Sequence, residues 1–160
     1  RCTRPACKQT QTYRAAATKP PPLEPGVKRE YYEQIVSDTS TEPSAKALLA
    51  TEQLIPGLGN GCLQDILLRA GVHPQSKLSA LSSEDFDSLY ESVLSTLRDM
   101  ADKGGRSTEK DLFGKPGGYH AMLSAQTVAY PCMQCGGPLV RKAFLGGNVY
   151  FCGKCQPLKK

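Results

Sequence analysis

Four cysteines in the last quarter of this 160-residue chain are spaced for metal chemistry, as Cys132-Met-Gln-Cys135 and Cys152-Gly-Lys-Cys155. Each C-x-x-C pair sets two thiolates on one side of a tight turn. The stretch between the pairs reads as a β-hairpin, which would bring the two turns together. The product is a closed tetrahedral cage of four sulfurs, the arrangement Zn²⁺ takes in structural sites. Two disulfides are the alternative use of the same residues, but paired knuckles at ribbon spacing favour a metal. One structural Zn²⁺ on Cys132, Cys135, Cys152 and Cys155 is therefore expected. Such a centre has no open position at which to activate water.

Charge around the hairpin points to a partner. No Asp or Glu follows Asp111, while Lys115, Arg141, Lys142, Lys154, Lys159 and Lys160 do. Four thiolates on one Zn²⁺ are formally dianionic and offset part of this charge. The remainder suits a polyanion such as a phosphate backbone, although solubility alone would also account for a basic surface. The net charge of the whole chain is only +5, so the signal lies in the distribution rather than the total.

The elements that must position these groups are mainly helical. Residues 1–22 read as a basic, disordered extension: Arg1, Arg4, Lys8, Arg14 and Lys19 precede any acid, and Pro20-Pro21-Pro22 forbids a regular helix. Cys2 and Cys7 lie here without a second pair nearby, which favours a loose tail over another metal site. A short helix fits Val27 to Val36, with Tyr31, Tyr32 and Ile35 available to one face. A second starts near Pro43-Ser44 and runs through Ala47, Leu48 and Ala50 towards Gln53. Next comes Ile55-Pro-Gly-Leu-Gly-Asn-Gly61, where Gly59 permits close backbone approach and Asn60 could cap the following helix or donate to an anion. A simple tight turn would explain the same residues. Leu63, Ile66, Leu67 and Ala70 form that helix's apolar stripe, Gly71 closes it, and His73-Pro74 prevents continuation.

A long helix is predicted from an N-cap at Ser82, with Asp85 three residues on and Phe86, Leu89, Tyr90, Val93, Leu94, Leu97 and Met100 as its core stripe. Gly104-Gly105 ends it. The expected fold is thus mainly α with a small β zinc ribbon. Residues 23–108 make the helical domain, 109–130 a connecting loop able to touch a ligand, and 131–160 the cysteine hairpin. No apolar run approaches the ~20 residues that span a bilayer, and no signal-peptide core is present, so a cytoplasmic location with reduced thiols is expected. The first residue is Arg rather than Met, as in a processed or incomplete polypeptide.

This order of elements resembles the C-terminal half of the formamidopyrimidine-DNA glycosylase/endonuclease VIII family of base-excision repair enzymes. The matching stretches are Ile55-Pro-Gly-Leu-Gly-Asn-Gly61 with Leu67-Leu-Arg-Ala-Gly-Val-His-Pro74, the helix-two-turn-helix signature. Gly114-Lys-Pro-Gly-Gly-Tyr119 and the four-cysteine finger with Gly136-Gly-Pro138 match as well. The likeness runs from about Leu23 to Gln156. It implies double-stranded DNA, damaged or abasic, as the partner, with no membrane and no small-molecule cofactor. Asn60 takes the place of the family's phosphate-binding asparagine, with Gly59 beside it.

Two departures bear on activity. Family members begin with a β-sandwich domain whose Pro-Glu start supplies nucleophile and proton handling, and which also carries a catalytic lysine and wedge residues. None of these is found in this sequence, so no catalytic residue is assigned and binding without turnover is expected. The family also places an arginine five residues before the third cysteine, where this chain has Gly147, leaving Arg141 and Lys142 as the candidate replacements. Lys46 could act as an amine nucleophile only in a desolvated pocket, because its ordinary pKa of ~10.4 leaves it protonated. Two readings from other classes stay open: a stand-alone nucleic-acid-binding module and a zinc-ribbon protein-interaction domain.

Overall fold

Apolar residues at helical spacing from two segments meet to form the core. The computed structural model describes residues 22–23, 29–37, 42–51, 55 and 58–160. Nearly all of the basic N-terminal extension, including Cys2 and Cys7, and the Pro56-Gly57 turn lie outside the described residues. Helix α1 covers Arg29–Ser37, α2 Asn60–Ala70 and α3 Ser83–Asp102. Strands β1 (Leu139–Phe144) and β2 (Gly147–Cys152) form one antiparallel hairpin, in register from Leu139 opposite Cys152 to Phe144 opposite Gly147. Between α1 and α2 the helical turn is wound as a π-helix over Ala47–Thr51, and a 3₁₀ turn at Leu78–Ala80 precedes α3.

Leu63, Ile66 and Leu67 of α2 are fully buried against Leu89 and Val93 of α3, with Leu48, Leu49, Ile55, Leu58, Val72, Leu78 and Leu81 closing the cluster. The helix ends follow from local chemistry. At the start of α3 the Ser82 and Asp85 side chains bond each other's backbone N–H groups at 3.2 and 2.8 Å, the reciprocal capping box. Gly71 ends α2 at φ 69°, a left-handed position that costs a Cβ-bearing residue strain, while Gly71 and Val72 return their N–H groups to Leu68 and Leu67.

A second, smaller cluster joins the hairpin to this bundle. Leu68 of α2 meets Leu123, Cys132, Tyr150 and Cys152. The predicted connector, 109–130, has no regular element, yet Asp65 of α2 fastens its middle. Its buried carboxylate accepts from Tyr119 Oη (2.9 Å), Met122 N (3.0 Å) and Leu123 N (2.8 Å). Burial pushes the Asp65 carboxyl up, and the two backbone N–H groups and the Tyr119 hydroxyl oppose that rise. No helix among the described residues is long and apolar enough to cross a membrane.

Candidate functional site

The two C-x-x-C turns converge at one end of the hairpin. The sulfurs of Cys132, Cys135, Cys152 and Cys155 all lie within 4.8 Å of one another, with Cys132–Cys155 at 3.8 Å and Cys135–Cys152 at 3.5 Å. A tetrahedron of metal–sulfur bonds of ~2.3 Å places its sulfurs about 3.8 Å apart. A disulfide would need about 2.05 Å. The four sulfurs therefore fit a metal and not two disulfides. Local backbone builds the first turn: Gly136 at φ 70° donates to Cys132 O, and Cys132 N donates to Gly137 O. Burial pushes the Cys152 thiol up, and the N–H groups of Cys155 and Lys154 together with the Cys135 and Cys132 sulfurs bring it down to about 7, while Cys135 and burial push the Cys155 thiol up, so without a metal the cluster favours one thiolate and holds a proton at another.

At the other end of the hairpin, the tip reaches the start of α2. Asn60 does not cap the helix; the N-cap is Gly59, and the Asn60 amide instead donates to Asn148 O of β2 at 3.1 Å. Gln64, one turn on, donates to the same carbonyl at 3.2 Å and accepts from Tyr150 N at 3.0 Å, so a glutamine side chain pairs with the strand as another backbone would. Lys46 completes the group. It is 3 % exposed, its ammonium donates to Phe144 O and contacts Leu145 O, and no carboxylate among the described residues pairs with it. Burial pushes its pKa down. The desolvated surroundings that the sequence does not reveal for Lys46 are thus present.

Lys46, Ala50, Asn60, Leu145, Gly146 and Gly147 line a hollow of about 190 Å³. A Cβ at Gly147 would sit 3.6 Å from the Lys46 ammonium and 3.7 Å from the Asn60 amide nitrogen. Arg141 and Lys142 do not line it. Both are exposed on β1, and Lys142 donates to Gln75 Oε1 at 2.8 Å. Lys159, counted in the basic surface, is paired with Asp85 at 2.6 Å. Gly59 is exposed, and a Cβ added there would meet nothing within 4 Å.

Sequence reasoning did not single out Gln64 or Gln156. Gln156 is fully buried, donating to Val72 O and accepting from Cys152 N, both at 2.9 Å, and so ties the cysteine end of the hairpin to the end of α2. Gln64 could have been found from its i+4 spacing to Asn60 on one helix face. Lys46 carried a signal too, as the lone charge in the run Ala45-Lys-Ala-Leu-Leu-Ala50.

No protein-family model matches the chain. Among curated proteins it is similar to the formamidopyrimidine-DNA glycosylase of Bacillus subtilis, 34% identical over 125 residues that are 74% of this chain and 44% of that one. The Geobacillus kaustophilus enzyme of the same name is 30% identical over 119 residues, 72% of this chain and 43% of the other. The chain thus spans about half the length of the curated relatives it matches. The crystal structure of the MutM (Fpg) protein from Thermus thermophilus superposes with a TM-score of 0.77 at 25% identity, covering 88% of this chain and 54% of that chain. The Lactococcus lactis Fpg, solved in complex with DNA containing an abasic site, shares the fold at a TM-score of 0.77 and 19% identity, with 94% and 56% covered. By sequence and by fold, the chain belongs to the formamidopyrimidine-DNA glycosylase family, matching its C-terminal helical and cysteine-hairpin region.

Proposed function

We propose that this chain supplies the backbone-clamping half of a base-excision-repair DNA glycosylase/AP lyase, with one structural Zn²⁺ on the four cysteines holding the hairpin tip against α2. Residues 23–108 act as the helix-two-turn-helix domain, 109–130 as the connecting loop and 131–160 as the finger. A phosphate of damaged or abasic double-stranded DNA sits in the hollow between Lys46, Asn60 and the tip. The single observation that carries this reading is the meeting of a buried ammonium and an amide donor there.

An ammonium has three N–H groups, and two carbonyl oxygens approach that of Lys46, leaving one donor. The Asn60 amide spends one N–H on Asn148 O and keeps the other. A phosphate oxygen between them would satisfy both and supply the anion that Lys46 lacks within the chain. The open space at Gly59 admits a ligand against bare backbone. Arg141 and Lys142 serve as outlying phosphate contacts on the same hairpin. The DNA bound by the Lactococcus relative, which shares this fold, supports the assignment.

The role of this half is holding rather than bond making. A four-sulfur centre offers no open coordination position, and the Lys46 ammonium is engaged by carbonyl oxygens. Duplex binding measured across a salt series tests the reading. Each phosphate neutralised contributes about −0.9 to the slope of log K against log salt. Asn60→Ala should weaken binding with the slope unchanged, since a neutral donor releases no counterion. Arg141→Ala and Lys142→Ala should each flatten the slope by up to about 0.9. A salt-independent affinity, the signature of a protein-interaction ribbon, would overturn it.

A further inference from the structure

Gln64 lies one turn beyond Asn60 on α2 and is 2% exposed beneath the hairpin. Its Oε1 accepts from Tyr150 N at 3.0 Å, and its Nε2 donates to Asn148 O at 3.2 Å. Both partners are backbone groups of β2, one able only to donate and the other only to accept. They leave the Gln64 amide a single orientation. Turned over, it would set nitrogen against an N–H and oxygen against a carbonyl. The second N–H of Nε2 is then directed to Asn60 Oδ1, 3.4 Å away.

The same logic passes on to Asn60. Its Oδ1 meets the Gln64 donor, while its Nδ2 donates to Asn148 O at 3.1 Å. A flipped Asn60 amide would face nitrogen to nitrogen at Gln64 and oxygen to oxygen at Asn148. Asn60 is itself exposed, so packing does not fix its amide and these bonds must. They hold Nδ2 on the side of the hollow, where a Cβ built on Gly147 would lie 3.7 Å from it.

That orientation decides what an anion meets. Nδ2 offers its remaining N–H beside the Lys46 ammonium, whereas Oδ1 in its place would present a partial negative charge. The polarity of one stretch of β2 backbone therefore reaches the hollow through two amides in series.

We propose that Gln64 is the positioning residue of the phosphate seat, fixing the Asn60 amide so that its donor faces the anion. The inference rests on the DNA-clamp reading and adds to it a buried residue that acts only through another. If Gln64 works by aiming Asn60, its contribution vanishes once the Asn60 amide is gone.

A double-mutant cycle in the full chain tests this, with Asn60→Ala, Gln64→Met and the two combined. Affinity for a labelled duplex holding a central tetrahydrofuran residue is read by anisotropy across a salt series. Methionine keeps the length of the side chain and its burial, but neither accepts from Tyr150 N nor donates to Asn60. Asn60→Ala should lose about tenfold in affinity, and Gln64→Met about fivefold. The combined variant should bind within about twofold of Asn60→Ala alone. All four salt slopes should agree, since Lys46 keeps its phosphate. In nitrogen–proton correlation spectra, the Asn60 side-chain amide should shift when the unaltered chain is saturated with duplex. In Gln64→Met that shift should be lost, while the backbone amides of Gly146 and Gly147 still respond.

A combined variant weakened by the product of the two single losses shows Gln64 acting on the hairpin as a whole and overturns the inference. A flatter salt slope in Gln64→Met places the tip away from Lys46 and overturns it too. So does a Gln64→Met chain that binds like the unaltered one or keeps the Asn60 shift. Each of these leaves the clamp standing. An Asn60→Ala chain that binds as tightly as the unaltered chain removes the phosphate seat itself, and the inference with it.

Discussion

The helical bundle and the cysteine hairpin stay folded by different means. In the bundle, leucines and isoleucines from α2, α3 and the preceding turns pack around Leu63, Ile66, Leu67 and Val93, all at 0% exposure. The hairpin has no such interior. Val140 to Ala143 of β1 are exposed, and its buried cluster of five residues includes Cys132 and Cys152 themselves. Only β2 buries apolar side chains, Val149, Tyr150 and Phe151, the last against His73, and the four sulfurs and two glutamines, Gln64 and Gln156, add to that narrow contact by splicing the hairpin onto α2. With zinc on the cysteines, as proposed, the bundle should stand without the metal, whereas the position of the hairpin tip should not. In this account the hollow at Lys46 and Asn60 inherits that dependence, because half of its wall is the tip.

Removing the metal should separate the two regions most sharply. Structural zinc contributes on the order of 10 kcal/mol to the folding of small finger modules. Chelation should release about one Zn²⁺ per chain and abolish the hairpin's amide protection in hydrogen exchange, with α2 and α3 still protected. A hairpin that stays protected at zero zinc would break the comparison. Truncation of the bundle core acts in the opposite sense. Leu67→Ala removes a fully buried side chain and should cost about 2–5 kcal/mol of bundle stability by denaturant titration, with zinc stoichiometry unchanged. A smaller effect is expected at the hairpin tip. Leu145 has φ 47° and Gly146 φ 71°, the two left-handed positions of a tight hairpin turn in which leucine is strained and asparagine is favoured. Leu145→Asn should stabilise the zinc-bound hairpin by about 1 kcal/mol, read as slower exchange of the β1–β2 amides.

Periodicity made the bundle legible in the sequence. The stripe from Phe86 to Met100, the Ser82–Asp85 box and the Gly71 stop each have a local cause, and each is where those residues place it. The cysteine cage was equally legible, since C-x-x-C spacing fixes geometry over a few residues. The hollow was only half legible. Asn60 stood out by its motif, but its bond to Asn148 spans 88 residues, and the burial of Lys46 depends on a carbonyl 98 residues away. Side-chain-to-backbone splices such as Gln64 to Tyr150 obey no periodicity, and they are what sets the hairpin's place on α2. The loop at 106–119 was hidden for the same reason, because backbone bonds such as Ser107 N to Tyr119 O and Gly117 N to Glu109 O hold it, not an apolar pattern.

The central claim is that a buried ammonium and the metal-held tip together seat one phosphate. Its most direct test is duplex-DNA affinity across a salt series for the unaltered chain and for Lys46→Met, each with zinc bound and after chelation. Methionine keeps the side chain's length in the hollow and removes its charge. With zinc bound, Lys46→Met should flatten the log K against log salt slope by about 0.9, one phosphate's share, and chelation should shrink the difference between the two proteins towards zero. Equal slopes for the two zinc-bound proteins, or a difference that survives chelation undiminished, would contradict the account.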